Sequence, residues 1–345
     1  MSRADHMSYQ PPFTLTSTIV HLVAEISEMV GKVSAQQNKE KDLRLRRINR
    51  IRTIQGSLAI EGNTLSEAQI TAILEGKRVL ATPREIQEAR NAIKAYEGLL
   101  TWQATSEQHL LQAHSVMTLG LVDDPGVYRR GGVGVMKGDQ VIHMAPPADR
   151  VAILMRQLME WIGATDHHPL IVSSVFHYEF EFIHPFSDGN GRMGRLWQTL
   201  ILSHWNPLLG YMPVESMVHE SQTAYYQALN DSTLRSDSAP FIEFMLGMLL
   251  KALEQAAGAT PQVSPQHTPQ VIRLLHILEG SMSREELQQA LGLTDRKSFR
   301  ARYLLPALAA GYIEMTSPDR PNSKLQRYRL TQSGKAARLG PSNPI

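Results

Sequence analysis

His184-Pro185-Phe186-Ser187-Asp188-Gly189-Asn190-Gly191-Arg192-Met193-Gly194-Arg195 puts one imidazole, one carboxylate, a turn of small residues and two guanidiniums into twelve positions, between two stretches of helical periodicity. Asp188, Gly189, Asn190 and Gly191 suit a tight turn whose consecutive backbone N–H groups form a concave anion site. The helix predicted from Gly191 onward points the positive end of its dipole at the same place. Arg192 and Arg195, three apart, share one face of that helix. A loop of this kind holds two or more phosphates and draws off negative charge as a transition state forms. Asp188 is the loop's only acid. Beside phosphates it suits Mg²⁺, which prefers one carboxylate plus phosphate oxygens and water. His184, just ahead of the turn, is placed to take a proton from an incoming hydroxyl, and Phe186 to anchor the loop in the core. Taken singly, such a histidine is more often structural and such arginines more often a solvated helix face. The twelve residues together, with turn positions that need special backbone angles, argue against that reading.

On either side, apolar residues recur at three- and four-residue steps. The spacing predicts helices over 15–33, 43–60, 66–75, 83–100, 107–120, 148–163, 169–182, 191–205, 222–232 and 240–257. Residues 133–144 alternate small and β-branched types about Gly138-Asp139, the pattern of a short β-hairpin. Residues 258–268 carry Gly and Pro without periodicity and read as a linker. Beyond them come an apolar helix over 271–278 and a capping-box start at Ser283-Arg284-Glu285-Glu286. A third helix over 295–310 and two strands over 312–316 and 325–330 complete the winged-helix order. The expected fold class is mainly α: a helical bundle with a β-hairpin, plus a C-terminal winged helix-turn-helix domain.

The chain has 345 residues, enough for a large helical core and one or two smaller units. Its formal net charge of +2 is too small to be a nucleic-acid or membrane footprint by itself. The lack of cysteine excludes disulfides, thiolate chemistry and Cys-based zinc sites, and fits a reducing cytoplasm. No apolar run approaches the roughly 20 residues that span a bilayer. Residues 1–14 lack a signal-peptide core and read as a disordered leader. These features point to a cytoplasmic protein with no membrane partner.

The 184–195 stretch resembles the signature of the Fic domain, His-Pro-Phe-x-Asp/Glu-Gly-Asn-Gly-Arg-x-x-Arg, at every specified position. The resemblance extends over about residues 15–257. It implies a Fic-type helical bundle that transfers AMP from ATP to a Ser, Thr or Tyr hydroxyl of a protein, itself included, with release of pyrophosphate. It further implies that His184 is the general base, Asp188 the Mg²⁺ ligand, Gly189, Asn190 and Gly191 the anion hole, and Arg192 and Arg195 the phosphate-holding cations. The 133–144 hairpin falls where the family has a flap over the active site. By that likeness Val133, Gly134, Val135 and Met136 would touch the nucleotide, and the strand edge would align a target segment. Tyr225 and Tyr226 match a paired tyrosine bordering adenine and ribose. Where the family has an asparagine a little further on, this chain has Thr233, with Asn230 nearby. Homodimers are common in the family, which implies one here.

Ser57-Leu58-Ala59-Ile60-Glu61-Gly62-Asn63 is the second informative stretch. Ser57 and Glu61 are four apart and share a helix face, and Gly62-Asn63 supplies a helix stop. On composition alone this is a helix end with a solvated glutamate. The stretch also resembles the Fic inhibitory helix, Ser/Thr-x-x-x-Glu-Gly/Asn, placed N-terminal to the core as in the family's second class. That likeness implies that Glu61, with Ser57 and Gly62, reaches Arg195, neutralises a phosphate-binding charge and occupies γ-phosphate space. ATP would then bind with its α-phosphate poorly placed. In some family members the same glutamate helps orient water for AMP removal. The expected division is a leader over 1–14, an N-terminal helical region over 15–110 with the inhibitory helix at about 53–63, a catalytic core over 111–257, a linker over 258–268 and a winged helix over 269–338.

Arg296, Lys297, Arg300 and Arg302 cluster on the third helix of the C-terminal module, and Arg320, Lys324, Arg327 and Arg329 on its wing. A basic recognition helix and wing suit duplex DNA. Many winged helices instead position a protein, their charges solvated. Two other function classes compete with AMP transfer. One is a DNA-binding transcriptional regulator that uses the core as a nucleotide sensor; an altered His184 or Asp188 would favour it. The other is transfer of UMP, phosphate or phosphocholine, whose phosphotransfer version goes with a changed Gly189-Asn190-Gly191 turn. All these residues are intact.

Overall fold

Pro169–Ile183 carries apolar residues on every face, and a helix of that kind belongs inside. Every residue from Leu170 to Phe180 is indeed buried. The computed structural model describes residues 9–35, 39–132, 134–137, 140–258, 269–293, 295, 299–309, 311–316 and 326–338. They fall into two compact units, Met1–Gly258 and Ala259–Ile345.

The larger unit runs α1 (Ser17–Ala35), α2 (Lys39–Ile60), α3 (Glu67–Leu74), α4 (Pro83–Glu97) and α5 (Glu107–Thr118). A hairpin of β1 (Gly134–Lys137) and β2 (Gln140–Met144) follows. Then come α6 (Ala148–Ala164), α7 (Pro169–Ile183), α8 (Asn190–Trp205), α9 (Val214–Glu220), α10 (Gln222–Arg235) and α11 (Ala239–Gly258). The buried axis α7 packs along α8, α1 along α11, and α2 along α9. Polar groups inside α7 are satisfied locally or across helices, as buried polar groups must be. Ser173 and Ser174 hydroxyls donate to the Leu170 carbonyl, and His177 Nδ1 lies 2.6 Å from Gln198 Oε1 on α8. The hairpin is antiparallel, with Gly134 opposite Met144 and Lys137 opposite Gln140. No helix among the described residues is long and apolar enough to cross a membrane.

Three expectations need correction. Residues 9–14 are not part of a loose leader. The Tyr9 hydroxyl donates to Glu179 Oε2 on α7 at 2.6 Å, and the Pro12 carbonyl accepts from the Ser238 N–H at 3.0 Å. The backbone N–H of Thr14 donates to Asp237 Oδ1 at 3.0 Å. Residues 1–8 lie outside the described residues. Second, 15–110 and 111–257 do not separate, because the pairings of α1 with α11 and α2 with α9 give them one shared core. Third, Gly258 ends α11 rather than opening a linker, and 259–268 lie outside the described residues. Helix α9 was not anticipated; seven residues after Pro213 are too short for periodicity to register.

The smaller unit runs α12 (Pro269–Ile277), β3 (Ser281–Ser283), α13 (Arg284–Ala290), a π turn over Arg300–Leu304 leading into α14 (Leu305–Ala309), β4 (Ile313–Met315), β5 (Arg327–Leu330) and α15 (Gln332–Arg338). The strands form an antiparallel sheet in the order β3-β5-β4. It has its own core of Val271, Leu274, Leu287, Phe299, Ile313 and Tyr328. The winged-helix arrangement stands, with β3 and α15 as elements the sequence did not announce. Ser283 caps α13 in the capping box read from the sequence. Of the basic cluster, Arg296, Lys297, Arg320 and Lys324 lie outside the described residues.

Candidate active site

His184 ends α7 in a left-handed conformation, φ 49° and ψ 61°, while its N–H donates to the Phe180 carbonyl at 2.9 Å. A side chain other than glycine costs roughly 1–2 kcal/mol in that region, so surrounding contacts must hold it. Arg129 supplies them: its Nε donates to the His184 carbonyl at 2.7 Å, and its N–H to the Pro185 carbonyl at 2.9 Å. Asn190 then braces the loop with a pair of bonds to the Phe186 backbone, both 2.9 Å. Phe186 is fully buried and stacks on His114 of α5, ring centroids 3.6 Å apart.

His114 fixes the other end of the loop. Its Nδ1 accepts from the Gly126 N–H at 2.8 Å, which leaves the proton on Nε2 to donate to the Asp188 carbonyl at 3.0 Å. Burial drives the His114 pKa from 6.5 down to about 4. Because the folded value is the depressed one, the unfolded chain takes up the proton first as pH falls. The stabilisation is therefore complete above pH 6.5 and is lost between 6.5 and 4. A shift of this size corresponds to about 3 kcal/mol. Urea unfolding midpoints of the native chain are expected to drop through this window, and those of a His114→Gln variant to drop less. Equal pH slopes for the two proteins would refute the role given to His114.

Helix α8 begins without a side-chain cap, Gly189 taking φ 83° ahead of it. A Cβ at Gly189 would meet Thr118 Cγ2 at 2.9 Å. The Asp188 carboxylate lies across this helix start. Oδ1 accepts from the Gly189 N–H at 2.6 Å and Arg192 Nη2 at 3.0 Å, and Oδ2 from Arg84 Nη2 of α4 at 3.1 Å. Arg192 is buried, and its Nε and Nη1 have no hydrogen-bond partner among the described residues. Buried donors of a charged group left without an acceptor are costly and mark a place where an anion is wanted. No cluster of three or more metal-binding side chains exists among the described residues. A lone carboxylate beside anion-binding donors matches a magnesium ion carried mainly by phosphate oxygens.

The end of α2 reaches the same spot. Arg195, 2% exposed, donates from Nη2 to Glu61 Oε1 at 2.7 Å and to the Ser57 carbonyl at 3.0 Å. Its Nε donates to Ser57 Oγ at 3.1 Å. Burial pulls the Arg195 guanidinium down, but Glu61, Tyr225 and Glu181 around it more than compensate and hold it above its ordinary value. Gly62, with φ 88°, stops the helix, its N–H donating to the Ala59 carbonyl at 3.0 Å. Asn63 Nδ2 then bonds Glu88, and Thr64 bonds Glu85, so α4 secures the chain just past Glu61. A Cβ on Gly191 would run into Glu61 Oε1 and come within 2.9 Å of Arg195 Nη1. The Glu61 carboxylate therefore lies over the first turn of α8.

A cleft of about 190 Å³ opens beside this cluster. His184, Glu61, Gly191 and Arg195 line it, together with Tyr225, Tyr226, Asn230 and Thr233 of α10. Tyr225 is buried, its hydroxyl 3.2 Å from His177 Nε2, whereas Tyr226 is 42% exposed. The residues named from the sequence at 57, 61, 62, 184 and 188–195 thus come together, and both tyrosines line the same cleft. Val133 lies outside the described residues; Gly134, Val135 and Met136 are backbone of β1.

Four residues escaped the sequence reading: Arg84, His114, Arg129 and Glu181. Glu181 lines the cleft with Oε2 4.0 Å from His184 Nδ1 and Oε1 3.8 Å from His177 Nε2. Burial raises its pKa, but the neighbouring His177, His184 and Arg195 bring it below the ordinary carboxylate value. Its spacing, three before His184 and four after His177 on one helix, was a usable signal. The other three act through backbone atoms or distant side chains and left none.

A buried helix pair, an uncapped helix start with basic side chains and a histidine beside it make up this site. The chain belongs to the Fic family. The Fic/DOC family matches residues 104–202, and the Fic-like C-terminal domain, described as that of filamentation induced by cAMP proteins, matches residues 269–331. A Fic family protein from Desulfovibrio desulfuricans G20, known by crystal structure, is 54% identical with a TM-score of 0.72, covering 94% of this chain and 99% of that one. Fic-1 from C. elegans shares the fold at a TM-score of 0.60 and 22% identity, over 70% of this chain and 72% of that one. The protein adenylyltransferases Fic of Drosophila willistoni and Culex quinquefasciatus are 30% and 31% identical, over 63% and 62% of this chain. The chain spans 43% of the length of each of these two curated relatives.

Proposed function

We propose that this chain transfers AMP from ATP to a Ser, Thr or Tyr hydroxyl of a protein, its own chain included, and that Glu61 restrains the reaction. The single observation that supports it best is the uncapped start of α8, with the orphaned donors of Arg192, next to the imidazole that closes α7. In this reading the cleft between α7 and α10 takes the adenosine, and the α8 start takes the phosphates.

The His184 imidazole accepts the proton of the acceptor hydroxyl, whose oxygen bonds to the α-phosphorus. The bond from that phosphorus to the bridging oxygen breaks, and pyrophosphate leaves with the electron pair. Its charge falls on the first-turn N–H groups of α8 and on Arg192 and Arg195. Asp188 would hold Mg²⁺, which when bound neutralises phosphate charge; Arg84 would have to yield Oδ2 for this. The Glu61 carboxylate competes with phosphate for Arg195 and for the space above Gly191. In the C-terminal unit, Arg327 pairs with Glu286 and Arg329 with Glu314. These two of the four wing charges are thereby engaged within the domain, which favours a role in docking protein targets over binding DNA.

The test is to incubate a Glu61→Gly variant with Mg²⁺ and ATP labelled at either the α- or the γ-phosphate. Label should enter protein from the α position alone. Label from the γ position would replace AMP transfer with phosphotransfer.

A further inference from the structure

Arg129 stands outside both sequence motifs, 55 residues before His184, and is 6% exposed. Its guanidinium donates to four backbone carbonyls. Nε bonds His184 O at 2.7 Å, Nη1 bonds Gly131 O at 2.8 Å, and Nη2 bonds Pro146 O at 2.5 Å and Ile183 O at 3.3 Å. Its own N–H adds the bond to the Pro185 carbonyl at 2.9 Å. The carbonyls come from three separate pieces of chain. Gly131 precedes β1, Pro146 follows β2, and Ile183 to Pro185 form the turn that carries the imidazole.

We infer that Arg129 is a positioning residue that joins both roots of the β1–β2 hairpin to the left-handed turn at His184, so that hairpin and imidazole move as one body. The inference depends on the proposed AMP transfer only for its kinetic consequence. A guanidinium presents five N–H donors in one rigid plane and can reach acceptors on three segments at once. A lysine carries three donors on one compact nitrogen and keeps the charge without the fork. Nothing in the conformational preference of His184 holds φ at 49°, so the turn depends on such bonds. Past the turn, Asn190 and His114 secure the loop independently of Arg129. Loss of the clamp therefore shifts the imidazole relative to a phosphate site that stays in place. It also frees the hairpin, so that a segment added along its edge would no longer be registered against His184.

Hydrogen exchange on the full chain tests the coupling directly. In Arg129→Lys, peptides covering the hairpin roots (129–132 and 144–147) and the turn (183–189) should both exchange roughly 5- to 30-fold faster, as for loss of one or two kcal/mol of local stability. Peptides from the middle of α8 and α11 should not change, and ATP affinity by calorimetry should hold. In a Glu61→Gly background the same substitution should lower kcat for AMP incorporation about 100-fold, as for a misplacement near 1 Å, with KM for ATP unchanged. Loosening of one segment alone, or of neither, overturns the inference, as does loosening of both with kcat intact. If the Glu61→Gly chain incorporates no AMP at all, the proposed function fails and the exchange result still decides the coupling. Should Arg129→Lys not fold, exchange of the unsubstituted chain in rising urea gives the answer. Roots and turn should open with one shared opening constant, and independent opening overturns the inference.

Discussion

On the proposed function, replacing Glu61 by glycine should raise AMP incorporation by about 100-fold or more, the scale set by restoring correct placement of the reacting phosphate. The carboxylate removed is the one that lies over the first turn of α8 and engages Arg195. Its loss frees a buried guanidinium for phosphate and clears the space above Gly191 in one step. The fold should tolerate the change. Arg195 keeps both bonds to Ser57 and stays close to Glu181, so its buried guanidinium is not left without partners. Glu61→Gln separates the two effects: the amide fills the space but carries no charge, so an intermediate rate is expected. Radiolabel incorporation at saturating ATP and Mg²⁺ measures all three proteins. Equal rates for Glu61→Gly and the native chain would remove autoinhibition from the account.

His184→Ala, in the Glu61→Gly background, should lower the proposed transfer rate by roughly 10²–10⁴-fold, the usual contribution of a positioned general base. ATP affinity should persist, because the phosphate donors belong to α8 and not to the imidazole. Alanine, however, is strained where φ is 49°, so part of the loss in that variant reflects stability. His184→Asn answers this, since asparagine tolerates the left-handed region far better. It should be as inactive as the alanine variant while melting closer to the parent. An asparagine variant with most of the activity would show that the proton goes elsewhere.

Residues 184–195 were legible in the sequence because their chemistry is local. Turn residues, helix start and charges all lie within one loop and the helix it opens. At Ser57, Glu61 and Gly62 the local pattern showed only one turn of helix and its stop, with a solvated glutamate; the reach to Arg195 came from the resemblance to the Fic inhibitory helix. What escaped was long-range and backbone-directed. Arg129 bonds carbonyls, which every residue has, and His114 reaches the Asp188 carbonyl across 74 residues. No side-chain pattern records either contact. The tie of Tyr9 to Glu179 spans 170 residues and joins an N-terminal stretch to a carboxylate on the buried helix α7. Neither end signals the other in the sequence.

Gly191 serves two masters. The same lack of a side chain lets the Glu61 carboxylate settle on the helix start and leaves room for whatever anion takes its place. Any larger residue there would displace the Glu61 carboxylate and, in the proposed reaction, crowd the phosphate as well. Natural variants that escape control while keeping their output are therefore expected to change the tip of α2, whereas position 191 should stay frozen in lineages that retain the switch and in those that have discarded it.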